Sequence, residues 1–358
     1  MAFMKLWDAT RFASQSGDTK MTKRQVWKTP KAGAIKRLRL AEEAMPTLAR
    51  GMVRVHIRSV GLNFADIFAL SGLYSATPKG AFIPGLEYSG TVIASDPSSG
   101  FHEGDRVMGV TRFGAYASQI DTDPKLLLPI PRSWSFQEGA AYLVQTLTAY
   151  YALIPLGALK EKQQVLVHSA AGGVGLQAMK LIKALGAIPV GTVSRPEKKD
   201  FLNSKSFEQV IIREENFAKQ LKDLGLEFDL VLDGIGGSTQ TASYNRLRSM
   251  GRLVVFGAAE FTPGSNRPRY FQSIIKYLLR PKYDVMEMIS DNKSVLAFNL
   301  IWLWNEIPLL RELIVDMSEI KIDPPVVGHE FPFEEAHGAI ECLRGGASIG
   351  KVILNLST

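Results

Sequence analysis

The chain of 358 residues contains one cysteine, Cys342. That excludes an intrachain disulfide and any structural zinc site made of several thiolates, and it makes a reducing, cytoplasmic compartment the expected setting. Long apolar runs are also missing. The nearest, 295–315, is broken by Asn299, Asn305, Glu306, Pro308, Arg311 and Glu312, so no stretch reaches the ~18 uninterrupted apolar residues of a membrane span. Residues 1–20 lack the apolar core of a signal peptide. Phe3, Leu6, Trp7 and Phe12 suit a short amphipathic helix there, but the simpler reading is a tail before a domain that starts near Met21. Internal repeats, low-complexity tracts and nucleic-acid-binding motifs are absent.

What remains is an ordinary globular composition, 46% hydrophobic and 22% charged, in a chain long enough for two domains with separate cores. Net charge is +7, and residues 1–58 alone hold thirteen Lys/Arg against four Asp/Glu. Without a nucleic-acid motif, that excess reads as a solvated basic face near a phosphate-bearing cofactor.

The most informative stretch is 163–187, QQVLVHSAAGGVGLQAMKLIKALGA. A short strand-like run, 165–167, meets the glycines Gly172, Gly173 and Gly175. Leu176, Met179, Leu181, Ile182 and Leu185 then follow helical period, and Gly186 sits where a helix C-cap belongs. Strand, glycine turn and helix together suit a pyrophosphate. Missing side chains allow close approach, and the helix N-terminus holds the charge. Ala170 replaces the first glycine of the usual fingerprint. An ordinary strand-to-helix turn would share the glycines but needs none of this context.

Upstream, residues 53–61 alternate apolar and polar at period two, and short Gly- and Pro-punctuated strands continue to Pro131. Ser135 and Glu138 form a capping-box pair opening a helical stretch over 136–156, which carries Gln145, Thr146 and Thr148. Beyond the glycine unit, strands are expected at 188–193, 209–212, 229–233, 253–257 and 296–300, with helices between them at 217–224 and 239–248. Residues 320–358 return to strand, helix (332–343) and strand (351–356). The expected fold is α/β, a doubly wound parallel sheet beside an irregular β-barrel or sandwich.

A NAD-preferring fold places Asp or Glu at the end of its second strand. Here that place reads GTVSRPEKK, so Ser194, Arg195 and Lys198 stand ready for a 2′-phosphate, and Glu197 lies past Pro196. NADPH is the expected cofactor. The competing use of these cations is to solvate a helix start.

Taken together, the strings GLNFADIFALSGLY, PGLEYSG, GDRVMG, QTLTAYYAL, AAGGVG, GTVSRPEK and GKVIL resemble the zinc-independent medium-chain dehydrogenase/reductase superfamily, in its quinone oxidoreductase and zeta-crystallin group. Residues 280–303 resemble the vesicle amine transport protein-like subgroup. The match covers nearly all of 21–358. It implies a chaperonin-10-like catalytic domain over 21–143 and 305–358, a Rossmann NADPH-binding domain over 144–304, and a homodimer. Zinc-dependent relatives carry Gly-His-Glu where this chain has Gly85-Leu86-Glu87, and a catalytic Cys where it has Asn63. Leucine and asparagine replace imidazole and thiolate poorly, so no metal is expected.

Hydride must then go to an acceptor that is already electrophilic, a quinone or an α,β-unsaturated carbonyl. The resemblance implies that Asn63, Thr148 and the backbone of Phe256, Gly257 and Ala258 sit near the nicotinamide. It sets Ala171, Gly172, Gly173, Val174 and Gly175 at the pyrophosphate, with Arg213, Asp233 and Lys351 also on the cofactor side. Holding a turn is an alternative use for Asp233. Tyr74 matches a family tyrosine that delivers or orients a proton; packing at the cleft rim is an equal use for it. Two departures weaken quinone activity in particular: Phe68 stands where many relatives have Tyr, and Val210-Ile211-Ile212-Arg213 stands where they have a Tyr-containing string. Phe82, Phe261, Tyr270, Phe271 and Tyr277 suggest an apolar substrate, and core packing would use them as well. The alternatives are an enoyl thioester reductase, or a membrane-associated NADPH-binding adaptor that uses the mixed apolar and basic run 271–284.

Overall fold

The computed structural model describes residues 23–262 and 270–357; the expected tail, 1–20, lies outside them. Two sheets dominate. Six strands form an all-parallel sheet in the order Val210–Ile212, Ile188–Val193, Gln164–Val167, Phe228–Asp233, Leu247–Val255, Ser294–Ala297. The strand before the glycine turn is therefore central, and the chain order reverses beside it. Ligands of open parallel sheets bind at that switch point, outside the carboxyl ends of the strands. The helix Gly173–Ala184 buries Leu176, Met179, Leu181 and Ile182, each worth about 1.5–3 kcal/mol when fully removed from water.

The second sheet has seven strands and is mainly antiparallel. Its spine is Val53–Gly61, which buries Val53, Val55 and Ile57 as the period-two pattern requires. Glu87–Ser95 pairs with one side of it, and the last strand, Lys351–Asn355, pairs through Ile353 with Gly61. The C-terminus thus returns to this antiparallel sheet.

Three expectations need correction. The helical stretch 136–156 is broken into Phe136–Ala140 and Leu143–Tyr151, and its final turn over Ala152–Leu156 widens around Pro155, which has no N–H to donate. The helix expected to 248 ends at Tyr244, because Leu247 already pairs with Phe228 in the parallel sheet; tertiary pairing overrides local propensity. Strand Leu247–Val255 accordingly starts six residues before the expected position. Helix Ile307–Glu319 follows the parallel-sheet region, and its Leu310, Leu313, Ile314 and Met317 share one apolar core with Leu176 and Met179.

Candidate active site

A cleft of about 660 Å³ lies between the two sheets, and its walls are mainly apolar. At its Rossmann end, the turn after Gln164–Val167 runs through Ser169, whose φ of 53° is left-handed, to Gly172 at the helix N-cap. The first N–H groups of the helix have no partner within it and are available to an anion. The glycines are needed sterically: a Cβ on Gly175 would lie 2.3 Å from the Ser169 carbonyl oxygen, and one on Gly173 would lie 2.7 Å from Gln145 Oε1. Gly172, Gly173, Val174, Gly175, Phe256, Gly257 and Ala258 all line the cleft. Ala171 is buried beneath it and accepts the Gly350 N–H through its carbonyl.

The cleft head is a closed polar cluster. Asn63 Nδ2 donates to the Gly61 carbonyl and to Glu87 Oε1, both at 3.1 Å, while its Oδ1 accepts from Gln145 Nε2 and Lys351 Nζ. An ammonium can only donate, so the orientation of the Asn63 amide is fixed. Gln145 Nε2 and the Val144 N–H also donate to Glu87. Lys351 pairs with Glu87 in nearly complete burial. Burial pushes the pKa of Lys351 down, against the pull of Glu87. The Thr148 hydroxyl donates to the Val144 carbonyl. Asn63 and Thr148 thus line the cleft with their donors engaged, and Lys351, with two of its three N–H groups taken by Asn63 and Glu87, acts as the counter-ion of Glu87.

On the opposite wall, the Tyr74 hydroxyl donates to Asn299 Oδ1 at 2.7 Å. The Ile301 N–H also points at that oxygen, at 3.4 Å. Burial raises the pKa of Tyr74 to about 12, so it is a reluctant acid and its proton is directed at Asn299. Phe68, Phe261 and Tyr277 line the cleft. Phe82 does not; it packs in the core of the antiparallel sheet, edge-on to Phe113. The side chains of Tyr270 and Phe271 lie outside the described residues.

Ser194 and Arg195 are exposed just past the second parallel strand. Lys198, nearby on the following helix, donates to the Gly346 carbonyl. Arg213 follows the edge strand Val210–Ile212 and donates to Thr192 Oγ1 at 3.0 Å. Asp233 is fully buried and accepts from the Ile235 and Gly236 N–H groups, so it holds the turn after its strand.

Sequence reasoning passed over His168, Gln145 and Asn299 as site residues. His168 directly precedes the glycine turn. The Ser243 hydroxyl donates to the Thr239 carbonyl, so it accepts from His168 Nε2. His168 Nδ1 then accepts from Thr192, which itself accepts from Arg213. The ring is neutral, and burial holds its pKa down to about 3. Position beside the glycine turn was the available signal for His168; Asn299 lies inside the strand expected at 296–300, which instead spans Ser294–Ala297 and leaves Asn299 just past its end.

Comparison with known proteins agrees with this architecture. Residues 49–132 match the alcohol dehydrogenase GroES-like domain, and 173–298 match the family described as zinc-binding dehydrogenase. The human synaptic vesicle membrane protein VAT-1 homolog is 30% identical over 325 residues, 87% of this chain and 80% of that protein. The crystal structure of the human VAT-1 homolog-like protein superimposes with a TM-score of 0.78 at 26% identity, covering 94% of this chain and 99% of that one. The Thermus thermophilus quinone oxidoreductase, solved also in complex with NADPH, gives 0.76 at 30% identity, covering 93% and 100%. Zinc does not fit the residues at the cleft head: Glu87 is already engaged by Lys351, and its other partners are the amides of Asn63 and Gln145 and the Val144 N–H. Among the described residues, no group of three His, Cys, Asp or Glu could hold a metal ion. The chain belongs to the medium-chain dehydrogenase/reductase superfamily of oxidoreductases, in its zinc-independent quinone oxidoreductase and VAT-1-like group.

Proposed function

We propose that the protein is an NADPH-dependent reductase of quinones or α,β-unsaturated carbonyl compounds. The observation that carries this reading is the single cleft that joins a glycine-lined helix N-terminus to an apolar chamber. The residues fit the cofactor: Gly172, Gly173 and Gly175 line the cleft at the helix N-terminus that suits a pyrophosphate, and Ser194, Arg195 and Lys198 offer a hydroxyl and two cations to a 2′-phosphate. NADPH, when bound, supplies a hydride. The chain's own part is to exclude water with apolar walls and to hold the substrate oxygen where negative charge develops. The buried cluster of Asn63, Glu87, Gln145 and Lys351 keeps the cleft head rigid. Water supplies the final proton, since Tyr74 is a poor acid. A homodimer in a cytoplasmic setting belongs to the same proposal.

The test is NADPH consumption with naphthoquinone, phenanthrenequinone, an alkenal, an alkyl enone and crotonyl-CoA, after fluorescence titration against NADPH and NADH. Turnover of quinones or enones with NADPH preferred supports the reading. Crotonyl-CoA as the sole substrate turned over would move it to the enoyl thioester reductases.

A second reading, the membrane-associated adaptor, is favoured by one surface. Ile274, Ile275, Tyr277, Leu278 and Leu279 are exposed on or just after helix Tyr270–Leu278, beside Lys276 and Arg280. Among the described residues, no helix is long and apolar enough to cross a membrane. Flotation with anionic liposomes, lost in a Lys276→Glu/Arg280→Glu variant, would support surface binding; no flotation of the wild type removes it.

A further inference from the structure

We propose that Asn299 binds the carbonyl oxygen of the substrate through its Nδ2, and that Tyr74 is the positioning residue that aims it. The inference rests on the reductase reading and names a residue for it. Asn299 follows the edge strand Ser294–Ala297 and lines the cleft. Its orientation is determined by its neighbours. The Ile301 backbone N–H can only donate, so the atom facing it is Oδ1. The Tyr74 hydroxyl meets the same oxygen at 2.7 Å and is therefore the donor.

Two consequences follow. Tyr74 has spent its one proton on Asn299 and has none left for a substrate oxygen while that bond is made. Asn299 Nδ2, in contrast, has no hydrogen-bond partner among the described residues, and it is not sealed in the protein interior. It is a donor on the cleft wall, held by two hydrogen bonds to the other end of its own amide.

The other polar groups facing the cleft head are less able to do this. Both Asn63 Nδ2 hydrogens go to Gly61 and Glu87. Gln145 Nε2 serves Asn63 and Glu87. The Thr148 hydroxyl serves Val144, and Lys351, which gives two of its three N–H groups to Glu87 and Asn63, is held by its ion pair. A carbonyl ligand in the apolar chamber therefore finds its fixed amide donor at Asn299. The complementary group must be a hydrogen-bond acceptor, which the carbonyl of the ketone, enone or quinone in the reductase reading supplies. The Asn299–Tyr74 bond then sharpens direction and leaves affinity for the cofactor untouched.

The experiment is infrared difference spectroscopy of carbonyl-labelled cyclohexenone bound to the NADP⁺ complex, which cannot turn over. The wild type should shift the carbonyl stretch down. Asn299→Ala and Asn299→Leu should abolish the shift and weaken cyclohexenone binding about tenfold, the loss of one hydrogen bond, while NADP⁺ affinity stays the same. Tyr74→Phe should keep a shift but broaden it. The proposal is overturned if Asn299→Ala keeps the wild-type shift, if Tyr74→Phe alone abolishes it, or if the wild-type NADP⁺ complex does not bind the ketone. Absence of NADPH turnover in a wild type that still shifts the carbonyl would reject the reductase reading and leave Asn299 as a carbonyl-binding group.

Discussion

Glu87 and Lys351 stand 264 residues apart in the chain and form a buried ion pair at the head of the cleft. Neither charge reaches bulk water, and each is hydrogen-bonded to Asn63. Removing one partner leaves the other buried and uncompensated. Lys351→Met should therefore cost about 3–5 kcal/mol in urea unfolding, whereas the double variant with Glu87→Gln should recover much of that loss. Equal destabilisation by the single and double variants would show that packing, and not charge, sets the cost.

The glycine turn makes a graded steric prediction. A Cβ at Gly175 meets the Ser169 carbonyl oxygen and Ala170 backbone, at 2.3 and 2.7 Å. At Gly172 the nearest atom is 3.2 Å away. Gly175→Ala should weaken NADPH binding on the order of tenfold or more and lower the melting temperature, because backbone must move. Gly172→Ala should do less of both. Fluorescence titration and thermal melting of the two variants side by side measure the difference.

Cofactor preference should depend on Arg195 and Lys198. Each charge-assisted contact to a 2′-phosphate is worth about 1.5–3 kcal/mol. Arg195→Ala and Lys198→Ala should each raise the Kd for NADPH roughly tenfold to a hundredfold and leave the Kd for NADH nearly unchanged. The loss should shrink at high salt, since Arg195 is exposed. Equal losses for both nucleotides would mean that these residues act on the fold.

His168 predicts a pH dependence. Its folded pKa of about 3 lies below the ordinary value of 6.5. Between these limits the unfolded chain takes up a proton that the native state refuses, so its stabilising contribution is complete above pH 6.5 and declines as pH falls towards 3. The slope from this one group is about 1.4 kcal/mol per pH unit. Urea unfolding of the wild type and His168→Gln at several pH values between 7 and 4 isolates it, because the other titrating groups are common to both. Parallel stability–pH curves would show that the imidazole is not held neutral.

Much of this molecule is legible in local pattern. The alternation of Val53, Val55 and Ile57 marks a half-buried strand, and the spacing of Leu176, Met179 and Ile182 marks a helix. Where a register is imposed from outside, local pattern fails: Leu247 joins a strand because Phe228 lies beside it. The turn at Asp233 needed only its own sequence neighbours, the N–H groups of Ile235 and Gly236. Phe82 shows the opposite limit, since aromatic composition in a loop does not say whether the ring faces a cleft or the core it packs in here.

The sequence by itself determined the strand–glycine turn–helix unit, the cations after the second parallel strand, and the residue types that deny a zinc site. These are short-range matters of steric room, charge and side-chain chemistry, and they survive without knowledge of the fold. Only the tertiary structure decided which polar groups are engaged. Asn63 is closed off because Glu87, Gln145 and Lys351 converge on it from three distant segments. Tyr74 turns its proton to Asn299 because the edge of the parallel sheet is brought against it. A hydrogen bond between residues 225 positions apart depends on how two sheets pack, and no local pattern in the chain encodes that contact.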